Sequence, residues 1–321
     1  MSHNINEGRI FYYGEVPWHG IGVQLNKPAT AKEAIQAARL DYQVIKEPIR
    51  TINSGLMVPD TQATIRTDTN QVLGVVSTKY RIVQNTEAFD FFDDIVGQGQ
   101  AIYHTAGALG LGERMWILAK LPQNLVVAQN DEVEKFLCLT NSHDGTSCLR
   151  MYFTPIRVVC QNTLTLSLKN KEDGIAIRHT GNIKGRVEEA RRLLGLAITF
   201  YDDFAKTTEA LVQQKMDKKE VEAYFDRVLK IEGLQDDDVS TQLKNRRNDL
   251  LVLFENGKGN NNPAVRHTAW TAYNAVVEYA DYYRVAKNQK TDPTNRLRAV
   301  WFGSGATLKN RAFQEIQAIL N

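Results

Sequence analysis

The chain has 321 residues, of which 43% are hydrophobic and 24% charged, and its formal net charge is +2. That length exceeds a minimal domain and that composition is ordinary for a folded protein, which argues against long disordered stretches. The near-neutral total neither demands nor excludes nucleic acid, because a local cationic patch decides that question. Cys138, Cys148 and Cys160 contain no Cys-x-x-Cys pair and make no disulfide framework. Reduced cysteines in a cytosolic protein are the expectation. No signal segment opens the chain and no apolar run reaches spanning length, so a cytoplasmic protein without membrane contact is expected.

The first 25 residues are rich in Gly and aromatics and read as an ordered arm rather than a regular element. A helix over about Thr30–Leu40 follows, with Thr30 as cap and Glu33 at the capping-box position. Tyr42–Ile45 reads as a strand, and 63–67 with 72–76 as a hairpin around Asp68-Thr69-Asn70. Tyr80–Gln84 is a short extended piece. Thr86 then opens a helix with Ala88, Phe89, Phe92 and Ile95 on one face. Strands are expected over 102–108, 114–120 and 133–140. The Asp144-Gly145 turn returns the chain through 147–153 with period two. Pro155 fits an edge or a bend, and residues 162–168 stay open between helix and strand. From Gly185 the pattern turns helical. Asp217 and Glu220 form a second capping box. Asp236-Asp237-Asp238 is a polar loop leading into a helix through Arg247. Gly257–Asn262 is a loop, and Asn262-Pro263 reads as the start of a long helix over 264–286. A last helix runs from Ala306. The expected fold is α+β: an antiparallel β-sheet core with packed helices over 1–180, then a mainly helical C-terminal region over 181–321.

Chemistry-bearing motifs are sparse. The six histidines show no metal-ligand spacing, so no metal site is expected. His143-Asp144 is a dyad by adjacency, and a turn-building role for Asp144 before Gly145 is the expected one. Gly303-Ser304-Gly305-Ala306-Thr307-Leu308-Lys309 lacks the Gly-Lys-Ser/Thr ending of a phosphate loop and reads as a turn before the last helix. The amides of that helix are the alternative, a phosphate contact. No cofactor motif is present. Lys169, Lys171, Arg178, Lys184, Arg186, Arg191 and Arg192 form a denser basic run, preceded by Arg150 and Arg157. Tyr152 and Phe153 interleave aromatics with these cations, a pattern suited to phosphate contact and base stacking. A solvated helix face with internal ion pairs is the alternative.

Ser142-His143-Asp144-Gly145 followed by Thr154-Pro155-Ile156-Arg157-Val158-Val159-Cys160-Gln161-Asn162-Thr163 resembles the phage/plasmid-like protein family built on domain of unknown function 932. Trp18-His19-Gly20, Tyr80–Asn85, Trp270–Tyr279 and Gly303-Ser304-Gly305 fall in a similar order. The resemblance implies a gene carried by phages, plasmids or integrated elements, and brings no established activity. More loosely, the order of elements is similar to that of phage single-strand annealing proteins. These join a hairpin-rich core to a variable helical C-terminus and form rings or filaments around single-stranded DNA. That resemblance implies a homo-oligomer in the bacterial host's cytoplasm that binds single-stranded DNA with no cofactor and no covalent step. Arg150, Arg157, Lys169, Arg178, Lys184, Arg186, Arg191 and Arg192 would contact phosphate, with Tyr152 and Phe153 stacking on bases. Two other readings stand beside it. One is a nucleotide- or nucleic-acid-processing enzyme using His143, Asp144 and His104. The other is a non-enzymatic interaction protein acting against host defence.

Overall fold

Strand β1 (Ile5–Tyr13) pairs in parallel with β2 (Val23–Leu25) and antiparallel with a later strand, so the expected arm is part of a sheet. Its partner lies far along the chain, and no local pattern announces it. The computed structural model describes residues 5–14, 22–99, 101–129, 131–157, 162–163, 175–177, 183–284, 299–301 and 303–320. Helix α1 (Ala31–Ala37) carries the expected capping box, with Thr30 accepting from Glu33 N and Glu33 accepting from Thr30 N. Strands β3 (Val44–Arg50), β4 (Met57–Arg66) and β5 (Gln71–Ser77) form an antiparallel three-stranded sheet. Its outer face leaves Ile45, Val72 and Val75 exposed.

Helix α2 (Asn85–Gly99) leads into the larger sheet, which adds β6 (Ile102–Leu109), β7 (Arg114–Lys120), β8 (Leu125–Ala128), β9 (Asp131–Ser142), β10 (Arg150–Arg157), β11 (Asn162–Thr163) and β12 (Ile175–Ala176). The strand order is β11-β10-β9-β7-β6-β1-β2, with β12 on β10 and β8 on β9. Period-two alternation splits it into two faces. Met115, Ile117, Leu137, Leu139, Met151 and Phe153 point to the inner, helix-covered face. Trp116, Leu118, Phe136, Cys138 and Tyr152 point to the outer one. Pro155 pairs with Lys135 inside β10. Its missing N–H is tolerated because it falls between the two short outer pairings, β12 at Arg150–Met151 and β11 at Ile156–Arg157.

Helix α3 (Ile183–Gln213) lies on the inner face, where Phe200 meets Phe153 at 5.2 Å between ring centroids. The Tyr201 hydroxyl accepts from Phe136 N at 2.9 Å and donates to Phe136 O at 2.7 Å. Helices α4 (Lys218–Leu229), α5 (Thr241–Asn256), α6 (Ala269–Glu278) and α7 (Ser304–Ile319) complete the helical region. Asp217 and Glu220 cap α4 as expected. One hydrophobic cluster runs from Phe11 through Phe153 and Phe204 to Ile316, so the helical region shares its core with the sheet. Trp270 Nε1 donates to Asp131 Oδ2 at 2.8 Å, tying α6 to β9.

The long helix expected from Asn262 begins instead at Ala269. Asn262 Oδ1 accepts from Ala264 N in a turn, and His267 has φ of 58°, which no helix interior permits. Thr268 then caps α6 by accepting from Thr271 N. The same helix widens into a π turn at Tyr279–Tyr283.

Candidate nucleic-acid interface

Strand parity places Arg150 and Tyr152 on the outer face of the larger sheet. Across β9, Arg150 stands opposite Thr140, and Arg114 of β7 opposite Ser142. Two strand spacings across and two residues along the strands, about 12 Å in all, therefore separate the Cα positions of the two arginines, and Tyr152 lies two residues beyond Arg150. Both act on Tyr152: burial pushes its phenol up, Cys138 adds to this, and the charges of Arg150 and Arg114 oppose it. Arg114 Nη2 also donates to Thr146 Oγ1 at 3.1 Å, in the Asp144-Gly145 loop. Across β9 from Arg150, and next to Arg114 on β7, the face is apolar at Trp116. There Trp301, just ahead of α7, packs edge-on against Trp116 at 5.3 Å. His104 sits on Phe136 at 5.0 Å, its pKa lowered by burial.

The candidate residues do not gather on one surface. Phe153 is 3% exposed and packed between Phe200 and Tyr201, so its ring is closed to a base, a correction to the expected stacking pair. Arg191 is exposed on α3, on the inner side of the sheet, away from Arg150 and Tyr152. Arg192 is held bidentate by Glu189, at 2.7 and 2.8 Å, so its charge is largely spent within the helix. The backbone of Arg157 pairs with Val133 and Asn162. The side chains of Arg157, Lys184 and Arg186, and the whole of Lys169 and Arg178, lie outside the described residues. Arg114 was not among the expected contacts. Its place beside Arg150 depends on the β7–β9–β10 register, for which no local signal exists.

His143 and Asp144 point to different partners. Ser142 Oγ donates to Asp144 Oδ1 at 2.9 Å, and Thr146 donates to the same oxygen from N at 2.9 Å and Oγ1 at 2.6 Å. Burial pushes this carboxyl up, but the bonds from Thr146 and Ser142 and the charge of Arg114 outweigh it and hold it below the usual range. His143 is fully buried, its Nε2 is 2.9 Å from Asn85 Oδ1, and burial pulls its pKa down to about 4. Its ring stands edge-on to Tyr42 at 6.2 Å, and the Tyr42 ring lies 4.1 Å beneath the Arg66 guanidinium. Arg66 is bidentate to Asp68 at 2.7 and 2.9 Å and donates to Leu111 O at 2.7 Å. Tyr80 hydroxyl donates to Ser142 O, and Asn141 Nδ2 to Val83 O. The Ser-His-Asp-Gly segment thus docks the β9–β10 turn on the smaller sheet and the start of α2. His143 and His104 face different neighbours and do not converge.

A cavity of about 830 Å³ opens between β8 and α3, lined by Leu125, Val127, Asp202, Lys206, Glu209 and Val212. It contains none of the candidate residues. Among the described residues, no group of three or more His, Cys, Asp or Glu is placed to hold a metal ion. No described helix is long and apolar enough to cross a membrane.

These features define an α+β protein with a broad, mainly antiparallel sheet, helices on one face and cations beside a phenol on the other. A family model described as Domain of unknown function (DUF932) matches residues 72–301, and the chain belongs to that family. No curated protein and no solved structure matches it.

Proposed function

We propose that this protein holds single-stranded DNA without altering it covalently, as an annealing or strand-holding protein of a phage or other mobile element. It would act as a homo-oligomer in the cytoplasm of a bacterial host. The observation that carries this reading is the group of Arg114, Arg150 and Tyr152 on one sheet face, two arginines about 12 Å apart in the register and a phenol on which both charges act. Cations that meet phosphates, interleaved with a ring that offers a π-face, are what a sequence-tolerant single-strand surface needs. A binding role is favoured over catalysis by the divergence of His143 and Asp144, each committed to the fold.

Fluorescence anisotropy with a labelled single-stranded oligonucleotide, at several salt concentrations and with a duplex control, tests this. Arg114→Gln and Arg150→Gln should each reduce the slope of log K against log salt by about one. Unchanged affinity and slope in both variants would remove the outer face from the reading. Absence of binding by the unaltered protein at low salt would end it.

A protein-interaction role is the second reading. It is favoured by the exposed Ile45, Val72 and Val75 on the smaller sheet and by Ile52, Leu56 and Met57 at its hairpin end. Grouped exposed apolar side chains of this kind mark surfaces that meet another protein.

A further inference from the structure

Helices α5 and α7 pack against the π turn, and each of these three places carries an arginine. Arg246 comes from α5, Arg284 directly follows the π turn, and Arg311 lies on α7. All three are partly buried, so their positions are constrained while each keeps an edge in solvent. Arg284 Nη1 donates to Ser304 O, and Arg311 Nη1 donates to Val228 O at 2.8 Å. Arg246 bonds the Tyr279 hydroxyl. Each contact uses only part of a guanidinium, which carries five N–H donors. None of the three has a carboxylate ion-pair partner among the described residues.

The neighbouring acidic groups are engaged elsewhere. Asp281 pairs with the buried Lys309 at 2.9 Å, Glu315 with Arg227 at 3.2 Å, and Asp226 with Arg247 at 2.9 Å. Asp249, one turn along α5 from Arg246, is exposed, forms no ion pair among the described residues and acts on the Tyr279 that Arg246 bonds. The Arg284 pKa is pulled down, first by burial and then by the charges of Arg246 and Arg311, with Tyr279 opposing them. Like charges held close in a half-buried setting are unfavourable unless an anion sits among them. Exposed Ser304 and Thr307, in the first turn of α7, and exposed Tyr283 edge the same region.

We propose that Arg246, Arg284 and Arg311 form a binding site for phosphate oxyanions. Guanidinium forks match phosphate geometry, and several converging on one point give bidentate contacts that a single lysine cannot. Two sources share this chemistry: the backbone of a nucleic acid and a free polyphosphate-bearing small molecule. The site uses none of the residues of the outer sheet face and stands independently of the function proposed for them.

The test uses the full chain with two probes, sodium tripolyphosphate and a fluorescein-labelled oligothymidylate. Thermal melting reports the first and anisotropy the second. The unaltered protein should be stabilised by tripolyphosphate or bind the oligonucleotide. The double variant Arg246→Gln with Arg311→Gln should lose at least about tenfold in affinity for whichever probe binds. The pair Arg246→Lys with Arg311→Lys keeps the charge and should recover part of that loss, which a merely misfolded protein would not. Loss for the oligonucleotide assigns the site to nucleic acid, and loss for tripolyphosphate alone assigns it to a free phosphate compound. Either result supports the site. If neither probe binds, or the glutamine pair binds as the unaltered protein does, the proposal is overturned. A failure confined to this pair, with Arg114→Gln and Arg150→Gln still lowering oligonucleotide affinity, leaves the sheet-face reading intact.

Discussion

The Arg66 junction and the Arg246–Arg284–Arg311 cluster use the same side chain to opposite ends. At the junction, Arg66 is fully buried, and every neighbour answers it: Asp68 in a bidentate pair, Leu111 O, and the Tyr42 ring beneath. Arg9 adds a second cation to Asp68 at 3.1 Å and donates to Arg39 O. At the cluster, three partly exposed guanidiniums stand around the π turn with no carboxylate ion-paired to them among the described residues. Charge that is matched locally builds the fold. Charge held in place but unmatched is left for a ligand.

The comparison can be broken most severely at Arg66. Arg66→Met keeps the bulk but abandons Asp68 and the Leu111 carbonyl, and should cost about 3 kcal/mol. A lower urea midpoint at unchanged slope would register it. A variant as stable as the parent would mean that the junction does not hold the two sheets together.

His143 provides the next largest effect. Its folded pKa of about 4 lies below the ordinary histidine value near 6.5, so the unfolded state binds more protons between these limits. Stability is therefore complete above about pH 6.5 and falls as the pH drops toward 4, by about 3 kcal/mol in all. His143→Gln should flatten that part of the pH profile in denaturant melts. An unaltered profile would place the acid sensitivity elsewhere.

The smallest effect belongs to the cluster. Arg246→Gln, measured without ligand, should change stability by no more than about 0.5 kcal/mol, in either direction. A loss as large as that at Arg66 would show that the cluster is structural and erase the contrast.

Local chemistry made much of the fold legible. The two capping boxes, Thr30 with Glu33 and Asp217 with Glu220, mark their helices because cap and amide lie within one turn. Strand β7 likewise announces itself as a short continuous apolar run, and the turn at Asp68–Asn70 through its turn residues. Strand β1 does not, because its ladder is made with β6, whose hydroxyl from Thr105 reaches Phe11 O at 2.6 Å. The start of α6 misleads for a different reason. Asn262-Pro263 is a good helix opening, but here Asn262 closes a turn and sends its amide to Gln129 O at 3.0 Å. In the candidate site, period-two parity already separates Tyr152 from Phe153 onto opposite faces. The neighbours of Arg150 and of Arg284, by contrast, are set by register and helix packing, which leave no trace in nearby residues.

Gly74 carries a consequence for how the molecule moves. A Cβ there would stand 2.6 Å from the Asp144 Cα, so the backbones of β5 and the β9–β10 turn are in direct contact. With no side chain between them to slide or rotate, the smaller sheet cannot tilt against the turn by small rotamer adjustments. Its exposed apolar face is thus carried at a set angle, and any reorientation has to proceed as a hinge opening of the whole junction.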